Sequence, residues 1–141
     1  MSLLKVRNTR GVGCRLLLFV AALCATTMAQ ALSIGEVNLH SMLGEPLRAS
    51  VALGNLGSLS RDELIVGRAP DSDYRDLGVE QAVNAAPVRY ELVVDTKGNA
   101  SVELSTERVI NEPLVELVLE VRWPSGRAIR QFTLLLDLPT R

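Results

Sequence analysis

Few side chains in this chain stand at a spacing that could do chemistry. Its one histidine, His40, closes the alternating run Val37-Asn38-Leu39-His40. As a general base or metal ligand it would need company, because a metal site draws three or four ligands. No second histidine exists, and the two cysteines, Cys14 and Cys24, lie far from it near the N-terminus. His40 therefore reads as a polar residue at a strand end, and no metal is expected. Carboxylate pairs occur at Asp62/Glu63, Asp71/Asp73 and Glu116/Glu120. Residues four apart on a strand are separated by about 13 Å. Glu116 and Glu120, with Arg122, thus read as a solvated face with partners such as Arg130 on the opposite strand. Asp71-x-Asp73 begins like a calcium loop but lacks the Gly and the distal Glu that complete one. Serines are plentiful, yet no Gly-x-Ser-x-Gly elbow surrounds any of them. Gly54-Asn55-Leu56-Gly57 is not followed by the Lys and helix start of a phosphate loop. The expectation is a protein that is not an enzyme and takes no cofactor.

One cluster suits recognition better than catalysis. Trp123-Pro124-Ser125-Gly126-Arg127 contains the only tryptophan, and Arg130 follows three residues on. Tryptophan with nearby arginine is the composition of a binding hot spot, which makes Trp123, Arg127 and Arg130 the candidate binding residues. The structural alternative is a core tryptophan capping the apolar layer at the end of a sheet, with Pro and Gly making the turn.

Strands must position these residues, because period-2 alternation dominates the chain. Leu47, Ala49, Val51 and Leu53 share one face. Tyr90, Leu92 and Val94 alternate with Arg89, Glu91 and Asp95, and Ala100, Val102 and Leu104 resume after the turn Thr96-Lys97-Gly98-Asn99. That is a hairpin. A longer one follows. Val115, Leu117, Leu119, Val121 and Trp123 fall on one face, with Val118 an apolar exception on the other, and Phe132, Leu134, Leu136 and Leu138 lie on the return strand. This second hairpin is expected at the centre of the sheet. Residues 59–86 resist the pattern. Ser60-Arg61-Asp62-Glu63 has the form of a capped helix start, and the region reads as a crossover carrying a strand near 64–68 and a short helix near 71–77. The predicted fold is all-β, a small β-sandwich of immunoglobulin-like size with one short helix in a crossover.

The chain has 141 residues, which predicts a single folded domain. Residues 1–15 are basic, residues 16–25 form an unbroken apolar run, and Ala29-Gln30-Ala31 matches the small-x-small pattern of signal cleavage. About 20 apolar residues are needed to span a bilayer, so the run is too short for a comfortable anchor. Leu23 before Cys24 is too large for a lipoprotein signal, and no twin-arginine pair is present. Residues 1–31 are therefore expected to be a cleavable secretory signal and 32–141 a periplasmic domain, touching the membrane only during export. Four of the 15 basic residues, Lys5, Arg7, Arg10 and Arg15, lie in that leader, which has no acid. The remaining 11 face 16 acids, a net charge near −5. An acidic domain whose one lysine is Lys97 argues against nucleic acid and against an anionic membrane surface. With both cysteines in the leader, the domain has neither a disulfide nor thiol chemistry.

Three segments carry a family resemblance. Leu32-Ser33-Ile34-Gly35-Glu36-Val37 looks like the mature start of FimV-type proteins, and Leu43-Gly44-Glu45-Pro46-Leu47-Arg48-Ala49 is similar to the segment that follows it there. Val109 to Arg127, with its Trp-Pro-Ser-Gly-Arg block, and Gln131 to Asp137 resemble a long stretch of the same family. The resemblance covers essentially all of 32–141. It implies the β-rich periplasmic part of FimV/HubP polar organisers, which are linked to type IV pilus assembly, twitching motility and cell-pole placement. The family supplies no catalytic residues. Its LysM segment, transmembrane helix and cytoplasmic tail have no counterpart in the 141 residues, so peptidoglycan binding is not expected. The expected partners are envelope proteins, with pilus-assembly components among them. A structural or chaperone-like sandwich, a small hydrolase or ligand-binding domain, and a truncated relative with little function of its own are the competing readings.

Overall fold

A computed structural model describes residues 31–80 and 87–140. Seven strands and one helix follow in the order β1 (Ser33–Leu39), β2 (Pro46–Gly54), β3 (Ile65–Arg68), α1 (Asp71–Asp76), β4 (Val88–Val94), β5 (Ala100–Val109), β6 (Leu114–Trp123) and β7 (Gly126–Leu135). A 3-10 turn, Arg61–Glu63, precedes β3. There the Glu63 carboxylate reaches back to accept the Ser60 N–H at 2.7 Å.

The strands form two antiparallel sheets, β1-β2-β5-β4 and β3-β6-β7. Their inner faces supply one core. Leu47, Ala49, Val51, Val102 and Leu104 come from the first sheet, and Leu117, Leu119, Val121, Phe132 and Leu134 from the second. These are the alternate positions of each strand, as burial of one sheet face requires. The protein is an all-β sandwich with one short helix in a crossover. No helix among the described residues is long and apolar enough to cross a membrane.

Two local devices set the register. Between Ile34 and Val37 the pairing of β1 with β2 shifts, and Gly35 there lies so near the Ala52 carbonyl that a Cβ would stand 2.9 Å from its oxygen. Between Pro46 and Arg48 the pairing of β2 with β5 shifts as well. The buried Thr106 hydroxyl absorbs that irregularity, accepting the Leu47 N–H at 2.8 Å and donating to the Arg108 carbonyl at 2.7 Å.

The long hairpin does not lie at the centre of a single sheet. β6 is the middle of the three-stranded sheet and β7 is its edge, because the apolar residues divide over two layers. Nor is the outer face of β6 a solvated one. Ala69, Tyr74 and Val79 from the crossover pack on Val118 as a second small core, and Glu120 is buried beside it. A helix covering an outer sheet face explains why Val118 breaks the alternation. Among the elements expected in 59–86, β3 and α1 are present, while residues 81–86 lie outside the described part. The same holds for the leader with Cys14, Cys24 and Ala29. Ala31 is exposed at the start of the described chain.

Candidate functional site

The Trp123 turn is built by its own sequence. Trp123 pairs with Gly126 across the two-residue loop Pro124-Ser125. Proline holds φ near −65°, which excludes the primed turns that need a positive value there. Trp123 points inward, half-buried and packed against the main core. Its ring lies over Gly126, where a Cβ would stand 3.2 Å from the indole. A side chain there would press on the ring, which would have to give by a few tenths of an ångström.

Arg127 reaches back over the outer face of β6. Its guanidinium grips the Asp73 carboxylate with two nitrogens, at 3.1 and 3.0 Å, and donates to Glu120 at 3.0 Å. Asp73 and Glu120 are both buried. The hydrogen bond to Asp73, followed by that to Glu120, raises the Arg127 pKa above its ordinary value, so the cation is permanent. Arg122 approaches Glu120 from the other side at 4.0 Å. A two-pronged guanidinium-carboxylate pair is the strong, directional form of an ion pair. Here it ties α1 to the sheet. Tyr74, next along α1, accepts the Val118 N–H at 3.0 Å and carries the Arg68 guanidinium over its ring at 4.3 Å.

Arg130 does not face Glu116 or Glu120. It stands opposite Leu119, on the inward set of β7, where its guanidinium lies 5.3 Å from the Phe132 ring centre. One of its nitrogens donates to the Ile34 and Gly35 carbonyls at 2.6 and 2.9 Å. It closes the gap between the β1 and β7 edges. His40 sits at an exposed strand end, hydrogen-bonded to Ser50 at 2.9 Å. Among the described residues no group of three His, Cys, Asp or Glu could hold a metal.

The structure thus brings Trp123 and Arg127 to one end of the β6-β7 hairpin and sends the two arginines in different directions. What the sequence did not disclose is the set Asp73, Glu120 and Arg127. Its members come from three elements, and only the apolar Val118 amid polar neighbours hinted that this face is covered.

The chain matches the model of the FimV N-terminal domain, an Ig-like domain, over residues 32–139. It belongs to the FimV N-terminal domain family. It is also 30% identical over 119 residues, 84% of its length, to the motility hub protein FimV of Pseudomonas aeruginosa, from each of two strains. The match covers 13% of those proteins, so the chain spans about an eighth of the length of the curated relatives. No solved structure is matched. The family description agrees with the sandwich built from the strands. The FimV-like block Trp123–Arg127 is the turn whose ring and guanidinium are anchored as above.

Proposed function

We propose that the chain is a non-enzymatic protein-interaction module that works in the periplasm, exported by a signal removed after Ala31. The observation that carries this is the family match, which begins at Leu32 and spans the whole sandwich. The relatives are named motility hub proteins, and the module's role in this reading is to hold envelope or pilus-associated components together. The Trp123 turn, with Arg127 beside it, is the first docking surface to test, and Arg130 lies apart from it at the β1 edge.

The test is crosslinking in the cells that make the protein, followed by identification of what is recovered. Recovery of envelope or pilus-assembly proteins, reduced by Trp123→Ala in a variant that still unfolds cooperatively, supports both the module and this surface. Arg127→Ala is a poorer probe, because it also releases Asp73 and Glu120. Recovery of nothing above background from folded protein counts against the module.

A further inference from the structure

β3 is shorter than the strand it pairs with, and among the described residues part of β6 is left without a neighbour on that side. The Leu136 N–H donates to the Pro113 carbonyl at 2.8 Å, which sets the phase of the β6-β7 ladder. Alternate residues of an antiparallel strand bond to opposite neighbours. The odd residues of β6 therefore bond to β7. Arg122, Glu120, Val118, Glu116 and Leu114 present their N–H and C=O groups towards β3. There Ile65 stands opposite Arg122 and Gly67 opposite Glu120. The chain then leaves the sheet. The Ala69 N–H takes the Val118 carbonyl at 2.9 Å and the Tyr74 hydroxyl takes the Val118 N–H. For the backbone groups of Glu116 and Leu114 no partner is found on this side among the described residues.

Alongside this open row runs a groove of about 530 Å³. Leu47 and Leu117, both core residues, line it together with Val88 and Tyr90 of β4. Burial, more than the nearby Tyr74, pushes the Tyr90 phenol well above the ordinary tyrosine range, so this wall stays neutral. Leu114, half-exposed, stands beside it. Glu80 and Pro87 also border it.

We propose that this slot receives an extended segment of a partner protein, which pairs with Leu114 and Glu116 of β6 as a continuation of β3. The occupant follows from the groups left open. A row of alternating N–H and C=O groups is matched by another backbone in strand conformation, and the pocket beside it takes that strand's alternate side chains. The apolar part of the lining takes aliphatic ones, while charged side chains such as Arg68, Arg108 and Glu112 also line the slot. This inference rests on the interaction-module reading and gives it a second surface, at the opposite end of β6 from Trp123.

The probe is the peptide acetyl-Thr-Val-Thr-Val-Thr-amide, with a control N-methylated on the amides of one edge. It is titrated into the ¹⁵N-labelled protein purified as the cell makes it. In the free protein the Glu116 amide is expected to exchange with solvent at least about tenfold faster than the amides of Val115 and Leu117. The peptide should shift and protect Glu116, and the N-methylated control should not. Glu116→Pro removes the open N–H without touching the bonds to β7, since proline is tolerated where the N–H faces away from the ladder. It should weaken the peptide at least about tenfold while the β6-β7 amides stay protected. A Glu116 amide already protected in the free protein, by the chain itself or by a second copy, overturns the proposal. So does equal binding of the N-methylated peptide, or shifts confined to the β1 or β7 edges. A Glu116→Pro protein that crosslinks to the same envelope partners as the unaltered one overturns the slot and leaves the module standing. An unaltered protein that crosslinks to nothing removes the module reading, while the peptide titration still decides the slot.

Discussion

Single polar side chains hold the outer layer of this sandwich to its sheet. The Tyr74 hydroxyl takes the N–H of Val118, which is fully buried. Leaving such a donor unpaired costs about 1–3 kcal/mol. Tyr74→Phe keeps the ring and its contact with Arg68, so it should lower stability by about that amount in urea unfolding. No change in midpoint would mean that water replaces the hydroxyl. At the β4-β5 turn, Asp95 accepts the Asn99 side-chain amide at 2.9 Å and the N–H groups of Asn99 and Lys97 at 2.9 and 2.8 Å. The Asn99 side chain first, then its N–H, hold the Asp95 carboxyl below its ordinary value. A carboxyl depressed in the fold adds stability above its unfolded pKa, about 3.9, and loses it as pH falls through the lower folded value. An NMR titration of Asp95 should therefore show a midpoint below about 3.9, moving back towards it in Asn99→Ala. A midpoint at or above that value in the unaltered protein would contradict the turn geometry.

Among the elements, β1 depends most on one backbone contact. Gly35 sits at the register shift against the Ala52 carbonyl, and Arg130 spans from β7 to the Ile34 and Gly35 carbonyls. Any side chain at position 35 must push β1 away from β2 or undo the shift. Gly35→Val is expected to cost about 1–3 kcal/mol, the range for forcing extra atoms into a packed site. Amide exchange should rise in β1 and stay unchanged in the β6-β7 hairpin. Uniform loosening of both sheets would show that the β1 edge is not a separate weak point. The alternation of β2, β4, β5 and β7 was legible in the sequence because each buries one face only, while β6, covered on both faces at Val118 and Glu120, departs from it there. The short β3 and α1 were legible from the Ser60 start and from Gly78. That β3 and the long hairpin share a sheet was not, since strand neighbours distant in sequence leave no local pattern.

For the whole molecule, both cysteines precede the sandwich, and the family match starts at Leu32. Protein recovered from the cells that make it is expected to begin at Leu32, to contain no titratable thiol, and to melt at the same temperature with and without reductant. An N-terminus upstream of Cys24, or a reductant-sensitive melt, would show that the leader is retained. The described chain then holds by its apolar core, with the Asp73-Arg127-Glu120 set fastening the crossover to the outside. The stretch of β6 at Leu114 and Glu116 lies beyond the point where that crossover turns away.

The sequence by itself determined an all-β sandwich, its two hairpins, the crossover helix and the family, because strand burial has a period of two and a specific block survives as a string. Only the tertiary structure decided which side chains meet. Asp73 and Arg127 stand 54 residues apart, and Arg130 meets β1 across nearly the whole domain. Such contacts depend on how two sheets stack and where a short strand stops. Local alternation says which way a side chain points, and it carries no information about what stands opposite.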